Sequence, residues 1–305
     1  MNENKRLPEA ANLRSFFDEQ IHHLHTRLNS LHHQDHAKQQ QIADEQLALE
    51  NFVDLINNKI RSVNGYPSKL RLHVQTLYNH VLKVSDSIPA PLSLTDNSFS
   101  TNPLVNALFV NSNEIDKLVE TNPEIIDFLD KHNKAQVPVL YALLTAGCDI
   151  KHILGIGLQG DMLIRELPQD AVNFYAHKIH APCADSTELN TALKTYLFDL
   201  IANIIKREMS ARLANEANLT SDNFYQSKVN SLANPEIYLH SLIAYLEDPV
   251  KLLSIAKPHF KLTKLGIKIA DDDQQWVNEF DLPELTWHGG MQQVVLQIAY
   301  ERKRL

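Results

Sequence analysis

The stretch His152–Leu167, HILGIGLQGDMLIREL, decides how the middle of the chain folds. It contains a G-x-G-x-x-G pattern at Gly155, Gly157 and Gly160. In dinucleotide-binding proteins this pattern opens a long helix, whose free N–H groups hold a pyrophosphate. Here only the seven residues DMLIREL separate the last glycine from Pro168, and no alternating strands and crossover helices follow. The stretch therefore predicts a β-hairpin with a tight turn at Gly160-Asp161.

The first two glycines of this hairpin have a second possible meaning. Gly155 and Gly157 are two residues apart, so in a strand both lie on one face of the sheet. Because glycine has no side chain, a bulky group can approach the sheet closely at such positions. One interpretation of this pattern is therefore that the protein binds a small ligand.

The residues around the hairpin predict a small sheet followed by a long helix. From 137 to 182 the chain consists of short apolar runs separated by Gly, Asp or Pro, which is typical of an antiparallel sheet of three or four strands. Apolar residues then recur at helical spacing over 185–215, and either Asp185 or Ser186 is predicted to cap this helix. We expect a helical region over 104–256 in which the sheet of 137–182 packs on this long helix.

Residues 1–85 are predicted to form a helical hairpin or small bundle. Apolar residues recur there every three or four positions, as on an amphipathic helix. The apolar stripe consists of Phe17, Ile21, Leu24, Leu28, Leu31, Leu49, Phe52, Ile56 and Ile60. Each of the two helices keeps this pattern for about two or three heptads, which is short of an extended coiled coil. Because such a stripe needs a partner to cover it, it is the candidate contact for a second copy or another protein.

Two further segments complete the predicted organisation. Residues 86–103 carry three prolines and many Ser, Thr and Asn residues, which predicts a connecting loop. Residues 257–305 contain three alternating runs separated by ADDD and TWHGG, which predicts a three-stranded antiparallel meander. The expected fold class is α+β and mainly α-helical, with the helical bundle first, the central sheet on its long helix next, and the meander last.

Composition and charge limit the classes of partner. The chain of 305 residues is 44% hydrophobic and 22% charged, as in ordinary globular proteins, and its net charge is −8. A negative balance without a basic block argues against a nucleic-acid or membrane-surface protein. The two cysteines are too few for a disulfide scaffold, and no signal peptide or membrane span is recognisable. We therefore expect a cytoplasmic protein.

Histidine and cysteine occur at ligand-like spacing within the predicted sheet. His177, His180 and Cys183 are three residues apart, and strand pairing could bring Cys148 near them. Four such ligands are sufficient for a closed zinc site, and a cysteine beside a histidine could be a nucleophile assisted by Glu166. However, His177 and His180 would point to opposite faces of a strand, and no C-x-x-C pair is present. A structural or incidental role for these residues is the favoured interpretation.

No motif in the chain specifies a reaction. A G-x-S-x-G elbow, a Walker loop and a kinase signature are all absent from the sequence. We therefore expect no cofactor, with zinc as the one alternative. The favoured hypothesis is a non-catalytic interaction or scaffold protein that self-associates or binds a protein partner through its N-terminal helices. A metal-dependent or thiol enzyme and a small-ligand binder are the alternatives.

Overall fold

The structure is a computed structural model, and it describes residues 46–47, 49–95, 97–132, 137–159, 162–218, 234–269, 278–287 and 289–302. The chain divides into two compact units, each made of two separate segments. The first unit comprises Met1–Ser85 and Thr191–Leu253, and the second comprises Asp86–Asn190 and Ser254–Leu305. Neither unit is therefore a continuous domain.

The described part of the first unit is helical. Residues 49–56 are helical, and a 3₁₀ turn at Asn58–Ser62 follows. The other helices described in this unit are α1 (Tyr66–Ser87), most of α6 (Ser186–Asn218), α7 (Pro235–Leu246) and the short α8 (Pro249–Leu252). The long helix predicted over 185–215 thus corresponds to α6, and the carboxylate of Asp185 caps it by accepting hydrogen bonds from the N–H groups of Thr187 and Glu188.

The predicted apolar stripe lies partly in this unit. Its last four members, Leu49, Phe52, Ile56 and Ile60, are buried. The ring of Phe52 meets that of Phe198 on α6 edge-on, with the ring centroids 5.4 Å apart. These four side chains are thus covered by the chain itself. The first five members, Phe17, Ile21, Leu24, Leu28 and Leu31, lie outside the described residues, so their contact with a partner stays a prediction.

The second unit combines strands with short helices. Its helices are α2 (Ser98–Thr101), α3 (Pro103–Leu108), α4 (Ser112–Glu120) and α5 (Pro123–Lys131). Its strands are β1 (Leu92–Leu94), β2 (Val139–Gln159), β3 (Met162–Cys183), β4 (Leu253–Ala256), β5 (His259–Leu262), β6 (Asn278–Asp281), β7 (Glu284–Trp287) and β8 (Met291–Glu301). Residues 86–103, predicted as a connecting loop, therefore contain a strand and a helix.

The main sheet has the strand order β3-β2-β8-β7-β4, and β1 pairs in parallel with the end of β8. β8 is a central strand, since it pairs with β2 on one edge and with β7 and β1 on the other. Its run of apolar residues explains this position, because a strand covered on both faces needs apolar side chains on both. Val294, Val295, Leu296 and Ile298 are all buried.

The predicted C-terminal meander is wrong as a single three-stranded sheet, although the runs predicted to be neighbours do pair. Its second run is interrupted at Leu282 and Pro283 and forms the two strands β6 and β7. β5 pairs with β6 in a separate two-stranded sheet, whereas β7 and β8 join the main sheet. The central sheet also differs from the prediction, because residues 139–183 form two long strands rather than three or four short ones. The alternation of side chains correctly indicated strands, but it does not specify which strands pair.

Helices α3, α4 and α5 pack on β3, and their side chains share one apolar core with the sheet. This core contains Val105, Ile115, Ile125 and Phe128 from the helices and Leu140, Leu144, Ile179 and Leu296 from the strands. The part of α6 from Thr191 onward belongs to the first unit, so the predicted packing of the sheet on this helix stays a prediction.

Candidate functional site

The β2–β3 hairpin continues past the point where the main sheet stops. β2 pairs with β8 only as far as Ala146, which lies opposite Val294. From Gly147 to Gln159, β2 pairs with β3 alone among the described residues. We call residues 147–159 and 162–175 the arm. The antiparallel pairing of the arm agrees with the hairpin predicted from the glycine pattern, whereas the tight turn at Gly160-Asp161 lies outside the described residues.

The arm carries apolar side chains that are exposed on both faces. In the register of the hairpin, Ile150, Leu154 and Ile156 lie on one face, while Ile153 and Met162 lie on the other. Leu154, Ile156 and Met162 are 68%, 64% and 72% exposed, and the two remaining side chains are exposed by more than a third. An isolated two-stranded hairpin is marginally stable in water, and exposed apolar residues on both faces mark a contact surface.

Space above two glycines of the arm is already occupied by cross-strand neighbours. The ring of Tyr175 covers Gly147, so that a Cβ added there would lie 2.5 Å from Cζ of the ring. The side-chain amide of Gln169 lies over Gly155, and its Nε2 donates a hydrogen bond of 3.3 Å to the carbonyl oxygen of Ile156. The room predicted beside Gly155 for a ligand is therefore filled by Gln169.

The outer edge of β3 is protected against further strand pairing. At its base, the N–H of Val172 donates to the carbonyl oxygen of Gly266, and the N–H of Lys268 donates to that of Asp170, both at 2.8 Å. Farther out, Glu166 forms a bulge with a left-handed φ of 66°, and Pro168 cannot donate a hydrogen bond. Turns, bulges and prolines are the usual devices that block an edge strand.

The edge of β2 has none of these devices. From Ile150 to Ile156 its residues contain no proline and no left-handed residue, and no strand lies on that edge among the described residues. This segment contains one lysine, Lys151, and no Arg, Asp or Glu. His152 Nδ1 lies 2.6 Å from Asp170 Oδ1 across the hairpin, and Lys151 is exposed beside it. This edge can accept another strand.

The four predicted zinc ligands do not meet. Cys148 lies opposite Phe174, whereas Cys183 lies opposite Tyr141, seven residues farther along β2. At the usual rise of a strand this separation is about 23 Å. Within the described residues, no group of three or more His, Cys, Asp or Glu side chains is arranged to hold a metal ion.

The two histidines of this set have separate surroundings. The ring of His177 stacks on Phe109 with the centroids 5.0 Å apart, its buried Nε2 has no hydrogen-bond partner, and burial lowers its pKa. His180 lies on the other face, where its Nε2 is 3.3 Å from Thr145 Oγ1 and its Nδ1 is 3.8 Å from Glu124. The predicted divergence of these two side chains agrees with their positions.

The cysteines are placed unfavourably for thiolate chemistry. Burial, with smaller contributions from the charges of Glu284 and Asp149, raises the pKa of Cys148 to about 11. Its thiol is therefore protonated near neutral pH, whereas a nucleophilic cysteine needs a lowered pKa. Cys183 is buried, and its Sγ donates to the carbonyl oxygen of Ala181 at 3.1 Å. Glu166 lies at the exposed bulge near the tip of the arm.

An ionisable cluster on β5 and β6 was not predicted from the sequence. Nδ1 of His259 on β5 is 2.8 Å from Asp281, and its Nε2 is 3.0 Å from Glu279, both on β6. These two carboxylates, with Asp281 contributing more, raise the pKa of His259. The predicted meander places these two runs side by side, and the structure adds the register that sets His259 opposite Asp281. The cluster acts as an exposed electrostatic link between the two strands.

Among the described residues, no helix has the length and apolar character needed to cross a membrane. Comparisons with protein-family models, with curated proteins and with solved structures find no significant match to this chain. The arm is therefore the feature on which a functional proposal can be built.

Proposed function

We propose that this chain is a non-catalytic interaction or scaffold protein, and that the arm is the part that contacts its protein partner. The observation that carries the proposal is the exposure of apolar side chains on both faces of the arm, at Ile150, Ile153, Leu154, Ile156 and Met162. Burial of an apolar side chain is favourable, and these side chains are exposed to water. Contact with another protein would bury them and so stabilise the arm.

The charge of the arm supports a protein partner over nucleic acid. Two residues of the arm are basic, Lys151 and Arg165, and three are acidic, Asp149, Glu166 and Asp170. Binding to the phosphate backbone requires an excess of basic residues, which the arm does not have. The contact predicted through the N-terminal stripe is compatible with this function but involves residues outside the described part of the chain.

Photo-crosslinking in cells tests this function. A photo-reactive amino acid is placed at Leu154 on the arm, and a matched control is placed at Leu72 on α1, because these leucines are 68% and 69% exposed. We expect a discrete covalent protein adduct from position 154 and none from position 72. Equal labelling at both positions, or no adduct at 154, would contradict the proposed function.

A further inference from the structure

The open edge of the arm points to a specific partner. We propose that the chain forms a two-fold symmetric dimer in which the β2 edge of one arm pairs antiparallel with the β2 edge of a second copy. This inference rests on the proposed function, because it names the partner of the arm.

The difference between the two edges of the arm favours a closed dimer. A hairpin with two open edges would add copies on both sides and grow into a fibre, whereas one open edge closes after a single pairing. β3 is protected by the bulge at Glu166, by Pro168 and by the contacts of Asp170 and Val172 with the turn around Gly266. Among the described residues, no strand pairs with the other edge of β2 between Ile150 and Ile156.

The side chains along this edge are complementary to a second copy of themselves. With the two-fold axis at Ile153, each residue lies opposite the residue that is equally far from Ile153 on the other side. Ile150 of one copy therefore faces Ile156 of the other. On the same face, His152 lies opposite Leu154 of the second copy. No like charges face each other in this register, whereas an axis at Lys151 would place two lysines in contact.

Edge pairing also accounts for apolar exposure on both faces. A partner packed against one face of the arm would cover only Ile150, Leu154 and Ile156, or only Ile153 and Met162. An added strand places side chains beside both faces at once, because successive residues alternate. In the proposed register, the two copies of Ile153 lie together on one face, and the Ile150–Ile156 pairs form twice on the other.

The first experiment measures the oligomeric state of the purified full-length chain by analytical ultracentrifugation over a range of concentrations. We expect a monomer–dimer equilibrium for the wild type and for Leu72→Lys. For Leu154→Lys we expect the dissociation constant of the dimer to be at least tenfold higher. The melting transition of each variant is recorded, so that an unfolded variant is recognised. A wild type that stays monomeric, or a folded Leu154→Lys that dimerises as the wild type does, overturns the proposal.

The second experiment tests the register in which the two β2 edges pair. Directly opposite residues of antiparallel strands have Cα atoms about 4.5–5.5 Å apart, which suits a disulfide bond. Ile153→Cys is therefore expected to give a disulfide-linked dimer under mild oxidation, and Leu72→Cys and the wild type are expected not to. Failure of Ile153→Cys to crosslink overturns this register.

The outcomes separate the dimer from the broader function. If position 154 crosslinks to a different protein in cells while the purified chain is monomeric, the proposed function stands and the dimer falls. If position 154 gives no adduct and the chain is monomeric, both fall. An adduct with the mass of two copies from position 154, together with a dimer of the purified chain that Leu154→Lys weakens, supports both.

Discussion

Asparagine side chains set the start of several helices in the second unit. Asn122 Oδ1 accepts hydrogen bonds from the N–H groups of Glu124 and Ile125, and its Nδ2 donates to the carbonyl oxygen of Ile179 on β3 at 2.9 Å. Asn111 Oδ1 caps α4 by accepting a hydrogen bond of 3.1 Å from the N–H of Glu114. Asn122 therefore both caps α5 and ties it to the sheet.

Replacing these caps by alanine should have unequal effects. We expect Asn122→Ala to lower the free energy of unfolding by about 2 kcal/mol, because it removes a cap and a link to β3. Asn111→Ala should cost about 1 kcal/mol, the usual effect of losing a cap. Urea unfolding of both variants measures the difference. Equal losses would show that the bond to Ile179 adds nothing.

Asp199 on α6 gives the first unit a dependence on pH. Burial raises its pKa from 3.8 to about 6, Lys206 opposes this shift, and Oδ1 is buried with no hydrogen-bond partner. Between about pH 4 and pH 6 the folded chain holds a proton that the unfolded chain has released. The contribution of Asp199 to the free energy of unfolding therefore falls as the pH rises through this window.

Replacing Asp199 by asparagine should remove this dependence. At pH 8 we expect Asp199→Asn to raise the free energy of unfolding by about 1 kcal/mol, a value reduced from the full effect of the pKa shift because the group is partly exposed. Near pH 3.5 both proteins carry an uncharged side chain and should differ less. Thermal unfolding at the two pH values checks this, and a gain that is larger at pH 3.5 would refute it.

Glycines shape the arm as an element by admitting the side chains opposite them. The rigid ring of Tyr175 occupies the space over Gly147, whereas the space over Gly155 holds the flexible end of Gln169. A methyl group at these two positions would therefore displace very different neighbours. The first displacement moves an aromatic ring near the base of the arm, and the second moves an exposed amide.

We expect Gly147→Ala to destabilise the chain by about 1–2 kcal/mol, as an overpacked site does. Gly155→Ala should change the free energy of unfolding by less than about 0.5 kcal/mol, because Gln169 can move aside. Guanidinium unfolding of the two variants provides the comparison. A larger loss from Gly155→Ala would mean that the Gln169 contact stabilises the arm more than the Tyr175 contact does.

At the scale of the whole molecule, the second unit depends on the end of the chain. β8 is central to the main sheet and contributes Val294, Leu296, Ile298 and Tyr300 to the apolar core. Tyr300 also donates a hydrogen bond of 2.9 Å from its hydroxyl to Asp116 on α4. The sheet built from 86–190 therefore cannot be completed until β8 has been added.

Truncating the chain before Met291 should prevent the second unit from folding. We expect rapid proteolysis within 86–190 and a loss of β-sheet signal in circular dichroism. The removed strand, β8, lies between β2 and β7 and joins them in the main sheet. A chain that lacks only residues 303–305 is the control and should resist the protease as the full chain does. Protease resistance of 86–190 in the longer truncation would contradict the prediction.

Patterns of residues close together in the sequence were sufficient to predict the hairpin and the long helix α6. Glycine spacing and the brevity of DMLIREL indicated the hairpin, and helical periodicity indicated α6, because both features depend on residues close in sequence. The same reading correctly separated His177 from His180, since side chains alternate along a strand. A mixed fold of helices and antiparallel strands also follows from these patterns.

Only the tertiary structure decided which distant strands meet and which apolar residues stay exposed. The pairing of β8 with β2 joins residues that no local pattern relates, so the central place of β8 in the main sheet could not be predicted from the sequence. Ile153, Leu154 and Ile156 look like core residues in sequence. They are exposed because β8 leaves β2 at Ala146, and this end of pairing is a property of the sheet as a whole.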